Sequence, residues 1–208
     1  MSLFIPGHVV VFDYGEVISA SPSAATRAAL ADATGVPLET LLPVYAEHRH
    51  DLDQGRVDVV GYWRRIAAAC GKSWTITDIH RIWAIDFTGW FDVDPVVLDI
   101  VEELHDAGTR VAILSNAGHD FGDPYRHSPL GSLAELVVVS AEEDLLKPDP
   151  AIYRRTCERL GIDARQMVFV DNRAENARGA SDVGAIGHHF TSAAGLRTFL
   201  TDLQETTA

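Results

Sequence analysis

The chain has 208 residues, 47% of them hydrophobic and 23% charged, with a mean hydropathy of +0.03. That mixture suits one compact domain plus an insertion, and it excludes disordered, fibrous and membrane-spanning classes. Thirty Asp and Glu against 17 Lys and Arg give a net charge of −13, a field that repels nucleic-acid backbones and anionic lipid, so neither is an expected partner. A small anionic substrate stays compatible, because a local cationic pocket or a bound cation overrides the global sign at short range.

The chain opens without a signal-peptide pattern: its apolar stretch is broken by Pro6 and Gly7 and ends on Asp13. Within it His8 to Phe12 reads as a strand covered on both faces. From there to Asp94 no strand pattern appears. Apolar residues recur at helical spacing in AATRAALADA, LLPVYAEHRHDL, VVGYWRRIAAAC and ITDIHRIWAIDF, which predicts a four-helix insertion lying over the sheet as a lid. Trp63, Trp74, Trp83 and Trp90 fall in or beside it and are expected to pack there. The segment EHRHDLDQGRVD carries His48, Arg49, His50, Asp51, Gln54 and Arg56, either as a solvated polar face or as groups that reach a substrate.

Four more strands are predicted, at Arg110 to Leu114, Leu136 to Ser140, Met167 to Val170 and Ala185 to Phe190, with helical runs between them. Asp94-Pro95, Asp149-Pro150 and Ser21-Pro22 each place a capping side chain before a proline at the first helical position. Gly108, Gly161 and Gly184 follow helical runs as terminating glycines do. The repeated order of helix, glycine and strand predicts an α/β fold with a parallel sheet and right-handed crossovers. Cys70 and Cys157 lie far apart and form no metal-ligand pattern, which fits a reducing, cytoplasmic setting. His188 and His189, in the last strand, read as structural.

Open parallel sheets bind ligands at the carboxyl ends of their strands. Successive strands here end in Asp13, Ser115-Asn116, the loop LKPDP with Lys147, and Asp171-Asn172. Taken singly, each is an ordinary turn or cap residue. Together they deliver a carboxylate, a hydroxyl, an ammonium and a carboxylate to one edge, a set that can hold Mg²⁺ through oxygen and bind a phosphoryl group. One carboxylate can act as a nucleophile, forming an aspartyl-phosphate that water hydrolyses.

The segments VVVFDYGEV, VAILSN, LKPDPAIY and VFVDNRAENARGA resemble, in order, the four motifs of the haloacid dehalogenase-like hydrolases. The spacings suit a member with a helical cap between motifs one and two. The resemblance implies a Rossmann-like core at residues 1–19 and 91–208 and a cap at residues 20–90. It makes Asp13 the nucleophile and a Mg²⁺ ligand, with the Gly15 carbonyl, Asp171 and Asn172 completing the metal site. Ser115 and the Asn116 backbone would hold phosphoryl oxygens, and Lys147 would neutralise charge. Two positions depart from the family pattern: Gly15 replaces the second Asp that serves as general acid, and Asn172 replaces an aspartate. The FDxGxV form resembles a subgroup of bacterial sugar-phosphate phosphatases active on α-glucose 1-phosphate, so the loss at position 15 does not imply inactivity. Glu16, next to it, should point elsewhere.

The expected function is a Mg²⁺-dependent phosphatase of a small phosphorylated metabolite. The alternatives are a metal-independent 2-haloacid dehalogenase, which also lacks the second Asp, and a catalytically inactive binding or regulatory protein. Val17 stands where the dehalogenases carry threonine, and Tyr14-Gly15 differs from their motif.

Overall fold

The computed structural model describes residues 3–207. Its centre is a parallel sheet of five strands, β1 (Val9–Phe12), β2 (Arg110–Ser115), β3 (Leu136–Val139), β4 (Met167–Asp171) and β5 (Ile186–His189), in the order β3-β2-β1-β4-β5. Each lies within one residue, at either end, of the run that predicts it. Strand β1 sits in the middle, in register with β2 and β4, so Phe12 pairs with both Ile113 and Val170. That register brings the residues after β1, β2 and β4 to one edge.

Helices cover both faces. Val10, Phe12, Ile113 and Val170 point to one side, against Val97, Ile100, Val101 and Leu104 of α5 (Pro95–Asp106) and Leu196 and Leu200 of α10 (Ala193–Thr207). Val9, Val11, Leu114 and Phe169 point to the other, against Ile152, Tyr153, Cys157 and Leu160 of α8 (Pro150–Leu160) and Ala180 of α9 (Ala174–Asp182). The period of two in β1 therefore feeds two cores at once, which is why its sequence shows no polar alternation. Asp94 and Asp149 cap α5 and α8 by accepting from backbone N–H groups, each with proline next, and Gly161 ends α8 at φ 65°. Ser21 does not cap: the cap of α1 (Ala24–Thr34) is Ser23, whose hydroxyl accepts from Thr26 N. The Ser21 hydroxyl donates to Glu16 instead.

The insertion is four helices, α1, α2 (Leu38–Asp53), α3 (Val59–Ala69) and α4 (Ile76–Gly89). They bury a cluster of their own, with Leu30, Leu41, Tyr62, Trp63, Ile66, Ile79 and Ile82 at its centre and Trp74 and Trp83 against it. Each fully buried aliphatic or aromatic side chain contributes ~1.5–3 kcal/mol, so this cluster is a large part of what holds the four helices together. Trp90 departs from its expected place: it packs against the sheet cluster with Phe87 and Phe91. Where the chain leaves and rejoins the sheet, the two connections run side by side, with Ala20 N donating to Asp92 O at 2.7 Å and Asp94 N to Ile18 O at 2.8 Å. The short helix α6 (Gly122–Arg126) follows β2, and α7 (Ser140–Glu143) follows β3.

Candidate active site

Three strand ends meet around Lys147. Its ammonium donates to Asp13 Oδ1 at 2.8 Å, to Asp171 Oδ2 at 2.7 Å and to the Leu114 carbonyl at 3.0 Å, so all three protons are used and the side chain is fully buried. The Asn116 side chain brackets the Lys147 backbone, accepting from its N–H at 2.9 Å and donating to its carbonyl at 3.0 Å. Asp13 Oδ1 also accepts from Tyr14 N at 2.7 Å, while its Oδ2 has no partner among the described residues. Burial raises the Asp13 carboxyl to about 7; Lys147 opposes the rise and Asp171 adds to it.

Above this floor lies a cleft of about 210 Å³, lined on the sheet side by Asp13, Gly15, Ser115, Lys147 and Asn172. The opposite wall comes from α2, through Tyr45, Arg49 and Asp53, which recur every four residues and so share one helical face. Arg49 Nε donates to Asp53 Oδ1 at 2.7 Å, its Nη1 donates to the Tyr45 hydroxyl at 2.7 Å, and Asp86 of α4 lies 3.9 Å from Nη1. Burial pushes the Asp53 carboxyl up to about 6 against the pull of Arg49, with Asp120 and Asp86 pushing the same way. A second cavity adjoins the first and shares Arg49, Asp53, Asn116 and Lys147 with it. The roof is tied to the core by Gln54 Nε2, which donates to Asp144 O at 3.1 Å, and by the Ser140 hydroxyl, which donates to Asp53 O.

The family model of the haloacid dehalogenase-like hydrolases matches residues 6–184. The chain belongs to this family. It is 32% identical over 91 residues to (S)-2-haloacid dehalogenase 4A of Burkholderia cepacia, covering 43% of this chain and 39% of that protein. It is 29% identical over 105 residues to the sesquiterpene phosphatase astK of Aspergillus oryzae, covering 50% and 54%. These matches span about half or less of either relative. Among solved structures, a haloacid dehalogenase-family enzyme of Bacteroides thetaiotaomicron in complex with magnesium and inorganic phosphate aligns at TM-score 0.69 and 19% identity, over 88% of this chain and 94% of that one. An L-2-haloacid dehalogenase of Xanthobacter autotrophicus aligns at TM-score 0.62 and 19% identity, over 85% and 74%. At such identities the structures share the fold.

In this hydrolase the residues singled out by the motifs separate into distinct tasks. Asp13, Gly15, Ser115, Asn116, Lys147 and Asn172 all line the cleft. Asp171 does not: it is fully buried, Lys147 holds Oδ2, Arg173 N holds Oδ1 at 2.8 Å, and the Asn176 amide donates to both oxygens at 3.1 Å. In this arrangement it anchors Lys147. Asn172 donates through Nδ2 to Glu16 Oε2 at 2.9 Å, leaving its side-chain oxygen Oδ1 without a partner among the described residues. Glu16 thus sits at the cleft rim, held at φ 59° between Asn172 and Ser21, and not turned away as expected.

Among the six polar residues picked out near the end of α2 and in the loop after it, Arg49 alone lines the first cleft, while His50 and Gln54 reach the adjoining one. Asp51 and Arg56 lie outside both, and Asp51 pairs with Arg65 at 2.6 Å. His188 stacks on Phe199 at 4.0 Å, and the His189 ring nitrogen bonds the Asn172 carbonyl at 3.0 Å, so both are structural. Tyr45, Asp53 and Trp90 line the cleft without having been singled out as site residues. The four-residue recurrence of Tyr45, Arg49 and Asp53 was the available signal.

The donor set suits a hard cation. Asp13, Gly15 and Asn172 line the cleft and bring a carboxylate, a backbone carbonyl and a side-chain amide oxygen, and Mg²⁺ binds through one or two carboxylates together with substrate phosphate and water. With one formal charge among the three, these residues fit an ion that is held jointly with an anionic substrate.

Proposed function

We propose that this hydrolase is a phosphatase of a small phosphorylated metabolite that uses Mg²⁺ and forms an aspartyl-phosphate on Asp13. The observation that carries the reading is the charge count at the floor. Two carboxylates, Asp13 and Asp171, share one ammonium, and bringing a phosphate dianion beside them needs further positive charge. Asp13, the Gly15 carbonyl and Asn172 would hold Mg²⁺, which when bound supplies that charge. Lys147 fixes Asp13 by one oxygen and leaves the other facing the cleft for attack. Ser115 stands at the end of β2 to donate to a phosphoryl oxygen, and residues 20–90 act as the cap that excludes water.

A second reading, a 2-haloacid dehalogenase, is favoured by the complete engagement of Asp171 and by the dehalogenases among the relatives. Phosphate release from a panel of phosphate monoesters with and without Mg²⁺, beside halide release from 2-chloropropionate, separates the two. Mg²⁺-dependent phosphate release is the expected result. Halide release unaffected by EDTA would replace the first reading by the second.

A further inference from the structure

The floor lacks a proton donor for a departing alkoxide. Position 15 is glycine and carries no acid, and a Cβ built there would rest in ordinary contact with the Trp90 ring at 3.7 Å. An in-line displacement sends the leaving oxygen away from the attacking one, so a donor belongs on the wall facing Asp13. That wall is α2.

We propose that Asp53 is the general acid, donating its proton from the cap to the leaving oxygen across the cleft. Asp53 Oδ1 is fixed by Arg49 Nε at 2.7 Å, while Oδ2 has no partner among the described residues, and the residue lines both cavities. The inference rests on the phosphatase reading and deepens it.

The surroundings favour a retained proton. Arg49 is the cation between two carboxylates, those of Asp53 and of Asp86 on α4, while a third, that of Asp120 after β2, repels the Asp53 charge, and carboxylates that share a site cannot all ionise. The other titratable or charged groups around Asp53 are Tyr45 and Tyr62 in the cap and His119 beside Gly55, and facing it across the two cavities are His50, Asp13, Glu16, Tyr125, Lys147, Asp149, Arg173 and Glu175. Asp86 also sits in this cluster but does not line the cleft, and Asp120 is held by the Trp83 indole at 2.7 Å. Asp53 is the member of the three that reaches the substrate space.

The proton balance closes over two steps. Asp13 bonds to phosphorus as the ester oxygen leaves, and that oxygen takes the Asp53 proton to give the alcohol. Water then attacks phosphorus, releasing Asp13, and Asp53, now a carboxylate, takes the water's proton and is restored.

The test is a series of phosphate monoesters of graded leaving-group acidity, from p-nitrophenyl phosphate to an alkyl phosphate, turned over by wild type, Asp53→Asn and Asp53→Glu. The Asn variant should lose about a hundred- to ten-thousand-fold on the alkyl ester and roughly tenfold or less on the aryl ester. Its kcat should lose the limb that falls with rising pH, and Asp53→Glu should recover part of the alkyl rate. Equal losses on both esters with the pH profile intact would reduce Asp53 to a positioning residue for Arg49 and overturn the proposal. Phosphate release with unaltered leaving-group dependence in the Asn variant overturns this inference alone. Halide release without phosphate release overturns the phosphatase reading with it, since halide departs without a proton. Carboxyl ¹³C titration of aspartate-labelled wild type gives a readout independent of turnover: the resonance missing from Asp53→Asn should titrate above the ordinary carboxylate range, and one inside that range overturns the assignment.

Discussion

Floor and roof of the cleft are built on one plan, a cation between two carboxylates, and they differ in how completely it is closed. At the floor Lys147 lies 2.8 and 2.7 Å from Asp13 and Asp171 and has no proton left over. At the roof Arg49 lies 2.7 Å from Asp53 but 3.9 Å from Asp86, and its Nη2 has no partner among the described residues. Lys147 is fully buried, whereas the Arg49 side chain is 20% exposed. A saturated cluster holds its carboxylates in one geometry. An unsaturated one leaves a donor open.

Removing each cation in turn would break the comparison most sharply. Lys147→Met leaves two adjacent carboxylates buried without a counter-charge and should cost ~3–5 kcal/mol at pH 7, with the cost shrinking near pH 4, where the Asp13 carboxyl carries its proton. Arg49→Met, with Tyr45 still bonded to Asp86 and solvent close by, should cost about 1–3 kcal/mol. Urea unfolding at the two pH values measures both, and equal costs would show that the roof is as tightly closed as the floor.

Asp13→Asn sharpens the floor half. The Asp13 carboxyl titrates at about 7 in the folded chain against 3.8 for the free group, so its proton is bound more tightly when folded. Stability from that proton is complete below 3.8 and is lost as pH rises through 7. The Asn variant should therefore match wild type near pH 4 and exceed it at pH 8 by on the order of 3 kcal/mol in EDTA, while losing turnover. A stability difference that does not grow between those pH values would remove the burial cost assigned to Asp13. The smallest effect concerns the cation. Asn172→Asp adds a charged oxygen to the donor set and should tighten Mg²⁺ by about tenfold, read by calorimetry with inorganic phosphate present.

The floor was legible because its parts are local. A strand ends, the next residue faces the edge, and parallel register does the rest, so Asp13, Ser115, Lys147 and Asp171 follow from where β-branched runs stop. What each side chain does there was less legible. Asp171 and Asn172 are neighbours, yet one turns inward to Lys147 and the other outward to Glu16, a choice made by the strand's alternation and by Asn176 five residues on. The roof was hidden for another reason. Arg49 meets Asp86 only because α2 and α4 pack in the cap, a contact that no local pattern in the sequence announces.

The Ser140 hydroxyl touches both halves at once. It donates to the Asp53 carbonyl and accepts from Ala117 N at 2.9 Å, joining the helix that carries the roof to the loop that follows Ser115 and Asn116. Swinging the four helices away breaks the bond to the Asp53 carbonyl, while Ser140 and Ala117, both in the core, stay paired. With the Gln54 bond to Asp144, the Ser140 bond to Asp53 makes two hydrogen bonds, both from the C-terminal end of α2, that any opening of the cleft must break.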